Sequence, residues 1–221
     1  MTDQRRAEFS ALASKIVGDL GAIRPLLPPE ARTLVVALLA ASAATTVLLV
    51  LGLRTDIHTL PSGIFLSLLA ARIAVGLALI LFALREAIPA ATPHPGARAV
   101  AIASGFGALF FFPHLFAWIA EAREAVSSAV CITGMLAVSL PSLAITFWLI
   151  GRGYAFHPVH SGVLAGLGSG VLAEAAQFLV CPGTSPFHGC AVHGGAAIGT
   201  AACGAFIGWL IATRRRRRDL L

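Results

Sequence analysis

Residues Leu34–Leu53 read LVVALLAASAATTVLLVLGL, an unbroken run of twenty residues without a charge. A hydrocarbon core about 30 Å thick needs about 20 apolar residues at the rise of an α-helix, so this run is long enough to cross a bilayer. Five further runs of similar length follow it: Gly63–Leu84, Ala99–Ala120, Ala129–Ile150, Val159–Val180 and Ala191–Thr213. The sequence therefore predicts an all-α, polytopic membrane protein with six transmembrane helices.

The overall composition agrees with this fold class. The chain has 221 residues, of which 57% are hydrophobic and only 12% are charged, and its mean hydropathy is +0.87. These values are too apolar for a soluble domain of this length. We expect a division into three parts: an amino-terminal segment over 1–32, a transmembrane domain over 33–213 and a basic tail over 214–221.

The basic residues favour one orientation of the predicted helices. Of the sixteen Lys and Arg residues, thirteen fall on one side, and the other side receives only Arg54 and Arg123. The thirteen are Arg5, Arg6, Lys15, Arg24, Arg32, Arg85, Arg98, Arg152 and the five residues of Arg214–Arg218. The positive-inside rule then places both termini in the cytoplasm. Five arginines directly after a membrane helix contact lipid headgroups, so we expect no direct binding of nucleic acid.

Glycines at every fourth position mark the fifth and sixth predicted helices. Gly162, Gly166 and Gly170 recur in the fifth, and the pairs Gly195 with Gly199 and Gly204 with Gly208 recur in the sixth. Such spacing lets two helix backbones approach closely, which predicts that these two helices pack tightly together within one bundle. A dimerisation face is the alternative interpretation.

The amino-terminal segment carries an apolar stripe. Phe9, Leu12, Ile16 and Leu20 follow each other at spacings of three and four, which is typical of one face of an amphipathic helix. A helix this short is marginal alone, so the stripe needs a partner. The membrane surface, another part of this chain and the groove of a second protein all fit the pattern.

Thiol and imidazole side chains gather at the outer ends of the predicted helices. Cys131 opens the fourth helix, Cys181 closes the fifth and Cys190 follows in the next loop, whereas Cys203 is expected to pack within the sixth helix. Candidate metal ligands at similar depth are Cys131, Cys181, His114, Glu174 and His188. Thiolate with imidazole suits zinc, copper(I) and softer toxic metals. No C-x-x-C or H-E-x-x-H motif occurs, so the pattern favours transient binding of a zinc or cadmium type of metal over an obligatory cofactor.

Two ionisable residues lie inside the predicted spans. Arg72 is in the second and Glu174 is in the fifth, and their depths differ by about 5 Å at 1.5 Å per residue. Long side chains bridge such a distance, so we predict an intramembrane ion pair between Arg72 and Glu174. A charge inside the bilayer indicates either a functional site or a structural pair, and both interpretations stay open.

The segment that follows the fifth helix resembles a known family. Cys181-Pro182-Gly183-Thr184-Ser185-Pro186 is similar to the C-P-x-x-S-P element of the NrsF-type membrane anti-sigma factors. A short amino-terminal segment, six spans and a cysteine that opens the fourth helix fit the same family. The resemblance implies a non-enzymatic regulator in a bacterial inner membrane that holds an extracytoplasmic-function sigma factor and releases it under heavy-metal or oxidative stress.

The resemblance also assigns roles to individual residues. It implies that Cys131 and Cys181 sense the stress, either as a disulfide or as metal ligands, and that the sigma factor receives Phe9, Leu12 and the rest of the amino-terminal stripe. Cys190, His188 and His193 are not part of the family pattern, so it assigns them no role.

A membrane transporter or a thiol oxidoreductase for a metal ion or small solute is the competing interpretation. A quinone-linked thiol oxidoreductase would normally show a C-x-x-C motif, which is absent here. A transporter needs a polar path across the whole membrane, whereas the polar residues of the spans crowd the outer half.

Overall fold

A computed structural model describes residues 26–59, 61–88, 94–119, 128–153, 155, 157–183 and 185–218. The described chain is helical and contains no strand. Its first five long helices are α1 (Pro29–Leu51), α2 (Ser62–Arg85), α3 (Pro95–Ile119), α4 (Ser128–Gly151) and α5 (Pro158–Val180). We use α6 for three consecutive pieces: a short α-helical turn Pro186–His188, a π-helical turn Gly189–Gly194 and the α-helix Gly195–Arg218.

The prediction of six membrane-spanning helices is confirmed by length and composition. Each of the six helices contains a stretch apolar enough to cross a bilayer. A single turn of 3₁₀-helix over Ile57–Thr59 lies between α1 and α2.

Three helices begin at least four residues earlier than predicted, each of them at a proline. We predicted starts at Leu34, Ala99 and Ala191, but α1 begins at Pro29, α3 at Pro95 and α6 at Pro186. The sixth helix also extends to Arg218, beyond its predicted end at Thr213. Proline is well tolerated in the first helical turn, because its missing N–H would have no partner there and its φ angle is already helical. The predicted end of the amino-terminal segment at residue 32 therefore falls inside the first turn of α1.

Helix α5 forms the centre of the bundle. Every residue from Ser161 to Phe178 except Val163 is buried. Its main neighbours are α6, α2 and α4, and α1 packs chiefly on α4. The apolar core includes Leu164 and Leu167 of α5 together with Ile80 of α2. A helix covered on all sides can carry polar groups only if they find partners within the protein, and this constraint shapes the site described below.

The glycines explain how closely α5 and α6 approach. A methyl group added at Gly162 would collide with the backbone of Gly204, and one added at Gly166 would collide with Thr200 and Ala201. The predicted tight packing of the fifth and sixth helices within one bundle is confirmed. Two glycines of the pattern, Gly195 and Gly199, do not take part in this contact, since they face open space in the described part of the chain.

Candidate metal centre

Three helix ends bring four metal-ligating side chains together. Cys131 lies in the first turn of α4, Cys181 directly follows α5, and His188 and His193 lie in the first turns of α6. The connection between α5 and α6 runs only from residue 181 to residue 185, so the end of α5 and the start of α6 must lie at the same end of the bundle. All four side chains are buried.

The ligand atoms of these four residues form a compact group. The two sulfur atoms of Cys131 and Cys181 are 3.4 Å apart, and the Cys181 Sγ lies 3.5 Å from His188 Nε2. The rings of His188 and His193 pack edge to face with centroids 5.0 Å apart. One ligand atom from each of the four residues lies within 4.8 Å of all the others. We call this group the Cys₂His₂ centre.

The ligands are held by hydrogen bonds from buried neighbours. Gln177, one turn before Cys181 on α5, donates a hydrogen bond of 2.7 Å from Nε2 to the backbone carbonyl of Cys131. Gly134 makes room for this amide, because a methyl group at that position would overlap it. The bond ties the first turn of α4 to the last turn of α5, so the separation of the two thiols is set by the packing of these helices.

A buried arginine closes the end of α5 beside the centre. The Arg54 backbone N–H donates to the carbonyl of Leu179 at 3.0 Å, and its guanidinium donates to the carbonyls of Phe178 and Pro182 at 3.3 and 3.5 Å. Asp56 accepts two further bonds from this guanidinium at 2.7 and 2.9 Å. The last carbonyls of a helix lack hydrogen-bond donors within the helix. Arg54 donates to two of these carbonyls at the end of α5, those of Phe178 and Leu179.

The electrostatic environment favours the thiolate form of one cysteine. The pKa of Cys181 lies below its ordinary value, because the Cys131 thiol donates a hydrogen bond to its sulfur and His193 lies beside it, although burial opposes the shift. A thiolate is the form that binds metals and reacts with oxidants.

The donor set fits a soft, tetrahedral metal ion. With Zn–S of about 2.3 Å and Zn–N of about 2.0–2.1 Å, ideal tetrahedral geometry places sulfur and nitrogen about 3.6 Å apart and two sulfurs about 3.8 Å apart. The observed separations of 3.5 and 3.4 Å require only small shifts. In addition, the Nε2 atom of His193 is buried and has no hydrogen-bond partner. Such an orphaned atom is unfavourable unless a ligand satisfies it.

The structure brings together three of the five predicted metal ligands. Cys131, Cys181 and His188 meet in the Cys₂His₂ centre, whereas His114 lies with Cys190 and Glu174 forms an ion pair with Arg72. We predicted that Cys203 packs within the sixth helix, but its side chain is exposed on α6. The predicted partner-binding residues lie outside the described part of the chain: Phe9, Leu12, Ile16 and Leu20.

The ion pair between Arg72 and Glu174 joins α2 to α5 below the centre. Both side chains are buried, and Arg72 also donates to the carbonyl of Leu68 at 3.2 Å. Its guanidinium carbon lies 4.2 Å from the centre of the Phe178 ring, within the range of a cation–π contact. Removing either partner would leave an uncompensated buried charge, at a cost of about 3–5 kcal/mol.

His193 is the ligand that sequence reasoning left without a role. In an α-helix, residues five apart lie about 140° from each other around the axis, which argues against His188 and His193 sharing a site. The π-helical turn Gly189–Gly194 is wider, and its hydrogen bonds join residues five apart. Residues 188 and 193 therefore lie on the same side. The glycines at 189, 194 and 195 were the available signal of an irregular turn.

The fold and the centre together define a class: a polytopic helical membrane protein with a buried thiol–imidazole centre at one end of its bundle. The model of the NrsF family, described as negative regulator of sigma F, matches residues 16–213. The chain belongs to this family, as the C-P-x-x-S-P element predicted. No curated protein and no solved structure matches the chain. Membership makes the chain a negative regulator of a sigma factor, which implies a sigma factor as its partner.

Proposed function

We propose that this protein is an anti-sigma factor of the bacterial inner membrane that sequesters an extracytoplasmic-function sigma factor in the cytoplasm. A heavy metal or an oxidant that reacts with Cys131 and Cys181 on the outer side releases the sigma factor. One observation carries the proposal: a chain of this regulator family holds two thiols 3.4 Å apart beside two histidines at one end of its helical bundle.

Charge supports the proposed orientation. The end of the bundle opposite to the Cys₂His₂ centre is basic. The carboxyl ends of α2, α4 and α6 lie there, and they carry Arg85, Arg152 and the arginines from 214 onward. By the positive-inside rule this end faces the cytoplasm, so the centre faces the outside and both termini are cytoplasmic. The outer compartment of a bacterial inner membrane is oxidising, which suits a redox-sensitive or metal-sensitive thiol pair.

Two chemical events at the centre have the same structural consequence. A bound zinc-like or cadmium-like ion draws the thiolates of Cys131 and Cys181 and the imidazoles of His188 and His193 to one point, and the thiol protons leave to water. Oxidation instead joins the two sulfurs in a disulfide, while two electrons and two protons pass to the oxidant. Either event fixes α4 against the end of α5.

The signal then has a short route to the opposite side. Helix α1 packs chiefly on α4 and directly follows the amino-terminal segment. A shift of α4 at the centre therefore changes how α1 presents that segment. Allosteric coupling of about 1–3 kcal/mol is sufficient to change partner affinity by about 5- to 150-fold.

The amino-terminal stripe of Phe9, Leu12, Ile16 and Leu20 is the proposed binding face for the sigma factor. Phe9→Glu or Leu12→Glu should release the sigma factor, because an unpaired carboxylate in an apolar groove costs several kcal/mol. A pull-down from membranes measures the retained sigma factor, and Ser14→Glu, off the stripe, serves as the matched control. Retention of the sigma factor by a chain carrying both stripe substitutions would show that the stripe is not the binding face.

A further inference from the structure

A second thiol–imidazole pair lies beside the Cys₂His₂ centre without belonging to it. The Sγ atom of Cys190 is 3.8 Å from the Nε2 atom of His114. Cys190 is half-buried in the π-helical turn of α6, and His114 is exposed near the end of α3. Neither residue is part of the four-ligand group.

Two glycines of the π-helical turn bring α3 against Cys190. A methyl group at Gly189 would press on the ring of Pro113, and one at Gly194 would press on the ring of Phe110. The absence of side chains at both positions lets the turn lie directly on α3. The thiol of Cys190 then faces α3, 3.9 Å from the Phe110 carbonyl oxygen, while His188 and His193 contribute to the centre.

We propose that Cys190 and His114 form a second binding site for a soft, thiophilic cation such as Cu(I). A thiolate with a neutral imidazole is the ligand pair that such cations prefer over hard, oxygen-binding ones. Sulfur and nitrogen ligands of one zinc ion in a tetrahedral site lie about 3.6 Å apart. The separation of 3.8 Å is close to this value, so one metal ion can bind both atoms with little movement of the side chains. On binding, the Cys190 thiol gives its proton to water.

This site differs from the centre in access. The centre is buried inside the bundle, whereas the side chain of His114 is exposed on the bundle's surface. The inference goes beyond the proposed function, because the pair binds its cation whether or not the centre senses stress.

The test is a titration of the full-length protein in detergent with Cu(I) alone, under anaerobic conditions and against a chromophoric Cu(I) chelator. We expect two bound Cu(I) ions in the wild type and one in Cys190→Ser. His114→Gln should weaken the second site at least about tenfold, since even the loss of an outer contact to a metal ligand costs 10- to 100-fold in affinity. Cys203→Ser is the matched control, because Cys203 is a free, exposed cysteine away from both sites.

A double variant, Cys131→Ser with Cys181→Ser, separates this inference from the proposed function. One Cu(I) ion that remains bound in this double variant and is lost on adding Cys190→Ser would support the second site, whatever the role of the centre. The same number of bound ions in the wild type, Cys190→Ser and Cys203→Ser would overturn it. Loss of all binding in the double variant would overturn it as well.

Discussion

The Nε2 atom of His193 is the most informative single atom of the Cys₂His₂ centre. It is buried and unpartnered, although buried imidazole nitrogens normally find a hydrogen bond. The Cys181 sulfur contacts both the Cys131 sulfur at 3.4 Å and the His188 Nε2 atom at 3.5 Å. A metal ion held by all four residues would bring His193 into this set and could satisfy its free ring nitrogen.

His193→Gln should therefore weaken metal binding about as much as His188→Gln does, by at least about tenfold. The measurement is competitive titration of the purified protein with Cd²⁺. His160→Gln is the matched control, because His160 lies in the first turn of α5 at the opposite end of the bundle. Equal Cd²⁺ affinity in His193→Gln and His160→Gln would show that His193 is not a ligand of the centre.

Residue types and helix positions were sufficient to predict the thiol pair as neighbours but not its full ligand set. Cys131 and Cys181 are helix-end residues whose proximity follows from the alternation of spans. Glu174 was predicted both as a metal ligand and as the ion-pair partner of Arg72, and in the structure it pairs with Arg72. The depths of the two residues along their helices suggested this pair, but which partner the carboxylate contacts depends on distances across the bundle.

At the scale of elements, the contact between α5 and α6 is set by backbone approach. Gly166 lies against Thr200 and Ala201, whereas Gly199, one residue before Thr200, faces open space. The two glycines belong to the same sequence pattern. They differ only in the direction in which a side chain would point.

Gly166→Ala should destabilise the bundle by about 1–3 kcal/mol, because its methyl group has no room beside the backbone of α6. Gly199→Ala should leave the stability unchanged or slightly raised, since alanine favours a helix by up to about 1 kcal/mol over glycine. Thermal or denaturant unfolding in detergent micelles compares the two variants. A loss of stability in Gly199→Ala as large as in Gly166→Ala would contradict the assigned contact.

Long elements were well predicted because a bilayer imposes length and apolarity on every span. The short π-helical turn Gly189–Gly194 was not, since its formation depends on how Gly189 and Gly194 pack on α3. The starts of α1, α3 and α6 were predicted too late, because each helix begins at a proline that precedes the apolar run from which its bounds were predicted.

At the scale of the whole molecule, the two ends of the bundle have different chemistry. The four residues of the Cys₂His₂ centre lie at one end, and most of the arginines lie at the other. A reporter fused after Arg218 should be active only in the cytoplasm, and one inserted at Ser185 only outside. The reason is that basic residues favour the cytoplasmic side of the membrane, which places the arginine-rich end of the bundle there. Paired cytoplasmic and periplasmic reporters measure both positions. Activity of both fusions in the same compartment would contradict the six-span topology.

The central claim is that an event at Cys131 and Cys181 on one side of the membrane releases a sigma factor on the other. Membranes containing the protein and its bound sigma factor, exposed to Cd²⁺ or to an oxidant, test it directly by the amount of sigma factor that enters the supernatant. The wild type and Cys203→Ser should release it, whereas Cys131→Ser and Cys181→Ser should bind it normally before treatment and retain it afterwards. Undiminished release from both Cys131→Ser and Cys181→Ser would contradict the account.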